Sequence, residues 1–200
     1  MACGGFSLVE LLIVGLVVLG LIGMLMMSFV TSRNAYLLND ESLYIQQEVR
    51  RALEATAREL PAAGRVRQVG GAGGVDFANQ TRVDFQLDRG FDQGTCGGIC
   101  WGTDDPAFPT GWLHYLLNTT NPQNTQLVRC ATTNQGSAIN FATCRVLANN
   151  IQTFLVDYAA GTRTVTLHLQ IRKVSAAIPG GSVTSSTSPQ VRQVKLRNAS

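Results

Sequence analysis

The fold turns on one stretch near the N-terminus, Gly5-Phe6-Ser7-Leu8-Val9-Glu10-Leu11-Leu12-Ile13-Val14-Gly15-Leu16-Val17-Val18-Leu19, continuing through Gly20-Leu21-Ile22-Gly23-Met24-Leu25-Met26-Met27-Ser28-Phe29-Val30. Between Phe6 and Val30 the only ionisable side chain is Glu10. As a helix rising 1.5 Å per residue this segment measures about 37 Å, against roughly 30 Å for the hydrocarbon layer of a bilayer, so it spans with some tilt. A buried helix of a soluble protein rarely needs so long a surface that is apolar all round. A secretory signal peptide is the first alternative, but it requires a basic start, a shorter apolar run and a small-x-small cleavage site after it. Met1 to Gly5 carries no Lys or Arg, and Ser28-Phe29-Val30-Thr31-Ser32 is a poor site of that kind.

Glu10 is out of place one turn into this segment. A carboxylate there costs on the order of 2.5–3.5 kcal/mol or more on insertion scales, so it asks for a partner. One reading has it near the helix end, reaching for the interface or carrying a proton. The other comes from its neighbours.

The string Gly5-Phe6-Ser7-Leu8-Val9-Glu10-Leu11-Leu12-Ile13 resembles the processing site of type IV prepilins and type II secretion pseudopilins. The resemblance implies a leader, residues 1–5, removed by a prepilin peptidase that cuts between Gly5 and Phe6 and methylates the new N-terminus at Phe6. Glu10 then becomes the fifth residue of the mature chain, where the family carries its Glu, and its implied partner is the freed amine of a neighbouring subunit. A desolvated pair of this kind sets register better than it adds stability. The leader departs from the family pattern in lacking Lys and Arg, and Cys3 within it receives no role.

Past Val30 the pattern turns amphipathic, with Leu38, Ile45, Val49, Ala52, Leu53 and Leu60 on one helical stripe and Glu41, Glu48, Arg51 and Arg58 on much of the rest. Glu54 and Arg58 are spaced for an i,i+4 pair. No Pro interrupts Phe6 to Leu60, so one helix of about 80 Å is expected, divided into a membrane or filament-spine half, 6–30, and an amphipathic continuation, 31–64, closed by Pro61 and Gly64. A single-pass anchor followed by a coiled coil would show the same stripe. Gly64 to Gly74 reads as a connector, and Val69-Gly70-Gly71-Ala72-Gly73-Gly74 as a linker and not a phosphate loop.

The remainder, 65–200, reads as a β-rich head. Alternation marks strands at Arg82–Leu87, Leu113–Leu117, Gln126–Cys130, Ile151–Tyr158, Thr164–Arg172 and Val191–Leu196, with a loop from Ile178 to Gln190. Helix first and antiparallel sheet afterwards is an α+β order. Four further stretches are similar to PilW-type minor pilins: Ser32–Tyr36, Gln46–Leu53, Ala57–Gly64 and the ending Val194–Asn198. J-type pseudopilins share enough of this to remain the alternative. The resemblance implies the pilin fold, a structural and assembly role without catalysis, and a path from inner membrane, with the head in the periplasm, to an extracellular pilus. The implied partners are other pilins, the prepilin peptidase and the assembly platform. An anchored binding module or exported enzyme is the competitor of another class.

Four cysteines lie in the head, Cys96, Cys100, Cys130 and Cys144, and an even count in an exported domain points to disulfides. Three pairings are open; closeness in sequence favours Cys96 with Cys100 and Cys130 with Cys144. A zinc site from Cys96, Cys100, His114 and Cys130 lacks the usual ligand spacing. His114 and His168 read as surface or satisfied core residues, and Asp104-Asp105 before Pro106 as a turn. Asn79 and Asn118 head chance sequons. No string argues for a nucleophile with its base, no cofactor or metal is expected, and the net charge of +3 is spread along the chain without Lys/Arg runs. Arg163, Arg172, Lys173, Arg192, Lys195 and Arg197 alternate with apolar residues, which reads as a solvated sheet face and predicts no specific nucleic-acid partner.

Overall fold

The structure, a computed structural model, describes residues 7–68, 75–174, 182–184 and 188–197. One helix, α1, runs unbroken from Leu8 to Glu59, 52 residues in all, and passes through a 3-10 turn at Leu60–Ala62 into the strands. Gly15, Gly20 and Gly23 interrupt nothing, and among the described residues α1 is the one helix long and apolar enough to cross a membrane. Large apolar side chains from Leu8 to Val30 are all exposed, whereas Ile45, Val49, Ala52 and Thr56 of the same helix are buried.

Eleven strands follow among the described residues: β1 (Ala63–Arg67), β2 (Phe77–Gln80), β3 (Arg82–Asp92), β4 (Gly98–Gly102), β5 (Trp112–Asn118), β6 (Gln126–Thr132), β7 (Arg145–Ala148), β8 (Ile151–Ala159), β9 (Thr164–Val174), β10 (Ser182–Thr184) and β11 (Gln190–Lys195). They form two antiparallel sheets. The first has the order β1-β3-β5-β6-β7, with β4 also on β3; the second has the order β10-β9-β8-β2, with β11 also on β9. The architecture is α+β, a long N-terminal helix followed by antiparallel sheets.

The inward rows of both sheets and one stripe of α1 share a core. Phe85, Tyr115 and Leu127 of the first sheet, Phe154, Leu167 and Leu169 of the second, and Ile45 and Val49 of the helix belong to one buried cluster. Phe85 and Tyr115 touch ring to ring with centroids 5.0 Å apart. Thr56 joins the buried stripe despite its hydroxyl because that hydroxyl donates back to the Ala52 and Leu53 carbonyls at 3.1 and 2.9 Å, leaving its methyl for the core. Arg197 ties back to the helix end, its N–H donating to the Pro61 carbonyl at 3.1 Å.

Several sequence expectations change here. The connector beginning at Gly64 is a strand at its start, because β1 pairs with β3 through Ala63, Arg65, Val66 and Arg67. Gly64 does not cap the helix. A Cβ on it would lie 1.7 Å from the Trp101 ring, so glycine at this position admits the indole. Glu54 bonds Arg50 at 2.9 Å instead of Arg58, and Glu48, placed off the apolar stripe, accepts from the Asn149 backbone and side-chain amides at 2.8 and 3.2 Å. Part of the expected loop 178–190 is β10, paired with β9. The Gly-rich 69–74 lies outside the described residues.

Candidate functional site

The helix N-terminus is built by Ser7 and Glu10. Ser7 is the N-cap; its Oγ accepts from the Val9 N–H at 3.3 Å, and its own N–H donates to Glu10 Oε2 at 3.1 Å, completing a capping box. The carboxylate that looked unpartnered in sequence therefore has a local partner. Ser-x-x-Glu before an apolar run is a capping signature, and it was readable in the sequence. Gly5 and Phe6 lie outside the described residues. From this cap to Val30 no side chain packs on the head, so about 35 Å of apolar helix, at 1.5 Å per residue, is presented to whatever surrounds it.

At the other end α1 is clamped to the first sheet. The Tyr115 hydroxyl and Arg129 Nε both donate to Glu59 Oε2, each at 2.7 Å, and Arg129 also pairs with Asp104. Burial together with the Glu59 carboxylate pushes the Tyr115 phenol well above its ordinary value. For Arg129 burial works against the charge, but the bonds to Glu59 and Asp104 outweigh it and the guanidinium stays charged. Asp104 is thus half of an ion pair reaching α1, while Asp105 makes the expected turn, accepting from the Ala107 N–H at 2.9 Å.

The disulfides are Cys96–Cys100 and Cys130–Cys144. The first staples the tip of the β3–β4 hairpin. The second fastens the 133–144 segment over the side of the first sheet turned away from the main core, where Leu116, Val128 and Cys130 form a small second cluster with Ile139 and Cys144. With both pairs made, the four groups weighed for zinc are not brought together, and among the described residues no His/Cys/Asp/Glu group has metal-binding geometry.

His114 is fully buried beneath the same segment. Its Nδ1 lies 2.7 Å from Asp84 Oδ1 and its Nε2 2.7 Å from Thr132 Oγ1. An acid, an imidazole and a hydroxyl in line resemble a nucleophile relay, but three contacts give the chain a structural part. Thr132 Oγ1 donates to the Asn134 carbonyl at 2.7 Å, and Arg82 Nε bonds the Asp84 carboxylate at 2.7 Å while its Nη2 reaches the Gln135 carbonyl at 2.9 Å. Asp84 and His114 have no exposed surface for a substrate to reach. His168 is half-buried on Asp157 at 2.9 Å, and Asn79, with φ of 55°, donates its N–H to the same carboxylate. Asn118 Nδ2 points to Gln126 at 3.4 Å.

Sequence reading passed over one cluster entirely. The two tryptophans of the chain each sit under an arginine of β1: Arg65 lies 5.8 Å from the Trp101 ring centre and Arg67 5.2 Å from that of Trp112. No local spacing announces it, since β1, β4 and β5 meet only through their pairing with β3. Grooves elsewhere are open. One of about 560 Å³ between α1 and β11 is lined by Gln46, Arg50, Glu54 and Arg192, and its carboxylate is already bonded to Arg50. No protein-family model, curated protein or solved structure matches this chain.

Proposed function

We propose that this chain is a pilin-like subunit, cut between Gly5 and Phe6, whose apolar half-helix sits in the inner membrane and then packs among other such helices in a filament. The observation that carries the reading is the division of α1: one continuous helix whose first half is apolar and bare and whose second half is built into the head. A simple anchor needs no rigid union of the two, because a flexible linker would tether a head equally well. A filament spine needs it, since the helix must transmit the position of its apolar half to the head. The disulfides favour an exported head.

Within this reading the chain is a minor pilin of a type IV pilus, of the PilW type, and its work is protein packing. The capping box is compatible with processing. The Ser7 N–H belongs to the Phe6–Ser7 peptide, so removing residues 1–5 leaves it in place and leaves Glu10 Oε1 for a second donor such as a Phe6 amine. Intact-mass and N-terminal analysis of the membrane-extracted protein tests the proposal. A chain beginning at methylated Phe6 is the expected result. Retention of Met1, or a cut after Val30, overturns it and leaves an anchored or secreted head with its own activity.

A further inference from the structure

We propose that the Arg65–Trp101 and Arg67–Trp112 pairs form a surface for single-stranded nucleic acid, gripping its phosphates and stacking its bases. This is independent of how the N-terminus is processed.

Arg65 and Arg67 lie two residues apart on β1, so both point to the same side of the first sheet, about 6.6 Å apart at 3.3 Å per residue. That side is opposite to the core, because Val66 between them is buried. Across β3 the register sets Arg65 beside Gln86 and Arg67 beside Asp84. Trp101, in β4, is placed by Gly64, whose missing Cβ leaves room for the ring. Trp112, in β5, leads the strand that carries His114 on the same side, with Leu113 between them in the core.

Charge on this side favours an anion. Asp84, the carboxylate nearest Arg67 in register, is sealed from solvent and bonded to Arg82 and His114. Asp88, opposite Trp101, adds a second negative charge while its Oδ1 accepts from the Gly90 N–H, so Arg65, Arg67 and Arg82 stand against Asp84 and Asp88 and the balance is positive. The two guanidiniums are held over indoles by attraction to the rings, which limits the side-chain freedom lost on binding. Two such cations, spaced along an extended strand, match a polymer with anions at short regular intervals. Flat aromatic and guanidinium surfaces between them match one that also carries planar bases. An acidic polypeptide would use the charges but leave the rings idle.

The full-length protein in zwitterionic detergent allows a direct test, because its only tryptophans are the two in the proposed surface. Oligo-dT is expected to quench their fluorescence saturably. The logarithm of the binding constant should fall with the logarithm of salt at a slope near −1.4, about 0.7 for each of two phosphates. Arg65→Ala and Arg67→Ala should each halve that slope. The Arg65→Lys/Arg67→Lys pair should keep the slope but bind several-fold more weakly, since a lysine does not form the flat stack. Arg192→Ala, in the other sheet, should bind as the parent does. The proposal is overturned by no quenching at millimolar nucleotide, by an unchanged slope in the Arg65→Ala/Arg67→Ala pair with near-UV circular dichroism intact, or by polyglutamate competing as well as oligo-dT.

Discussion

The two halves of α1 have the same backbone and opposite surroundings. Val17 and Val49 are both helical valines, yet the first is 55% exposed and the second 0%. Helical geometry continues across Ser32-Arg33-Asn34 without a break, so what separates the halves is the environment each side chain is written for. The lower half is apolar on every side, as a helix must be when no face meets water. The upper half is apolar only along Ile45, Val49, Ala52 and Thr56, the stripe covered by strands. A helix stable in both settings holds the head at a fixed distance and angle from whatever encloses its lower half.

The contrast breaks most sharply by placing one charge in each half. Val49→Asp leaves an unpaired carboxylate in the shared core, at a cost of more than about 4 kcal/mol, and the head should lose its thermal transition. Val17→Asp should leave that transition where it is and instead weaken retention in the membrane fraction. Near-UV circular dichroism in detergent, with membrane fractionation alongside, reads both. A fall in head stability with Val17→Asp would show that the halves are not energetically separate.

The next effect compares the two staples. Cys130–Cys144 encloses a longer loop than Cys96–Cys100, with sequence separations of 14 and 4. Loop-closure entropy assigns them about 3 and about 2 kcal/mol. The paired Ser variants should therefore differ in denaturant midpoint, with loss of Cys130–Cys144 the more damaging because it also frees the cover over Leu116 and Val128.

These features were not equally legible in the sequence. The helix and its apolar stripe could be read, since periodicity over many residues averages out local exceptions, and so could the strands with clean alternation, β3, β5, β8 and β9. What escaped depended on contacts distant in the chain. β1 hid in a Gly-rich stretch because Gly64 is there for Trp101, a residue 37 positions on. β4 and β7 are short and irregular, with bulges in their pairing, so their alternation never builds up. Glu48 was placed only off the apolar stripe and Glu59 carried no reading of its own, and only the folded head shows that Asn149, Tyr115 and Arg129 meet them.

Tyr115 sharpens the upper half by its titration. Its phenol is raised in the folded state, so the folded protein holds that proton more tightly than the unfolded chain does. The contribution is fully present below the unfolded value near 10 and is lost as pH rises above it, at up to about 1.4 kcal/mol per pH unit. Tyr115→Phe should cost about 2 kcal/mol at neutral pH by removing a charge-assisted hydrogen bond to Glu59. It should also flatten the alkaline decline, so that parent and variant converge in stability above pH 10. Thermal denaturation across pH 7–11 would show this, and parallel curves would remove Tyr115 as the group responsible.

The smallest expected effect on stability concerns the lower half alone, and it separates two jobs of Glu10. Ser7→Ala removes the cap acceptor and should fray the first turn by about 1 kcal/mol while keeping the carboxylate. Glu10→Gln keeps an oxygen for the Ser7 N–H but removes the charge, so the helix start should survive. Neither change should move the head transition, because no described contact links residues 7–10 to the strands. If Glu10 serves the helix only, Ser7→Ala should be the more harmful and Glu10→Gln close to silent. If its charge pairs with a Phe6 amine in an assembly, Glu10→Gln should lower the fraction recovered in sheared filaments while Ser7→Ala leaves it nearly unchanged. Because the two substitutions divide the hydrogen bond from the charge, the order of their effects decides between a residue that ends a helix and one that sets the register between subunits.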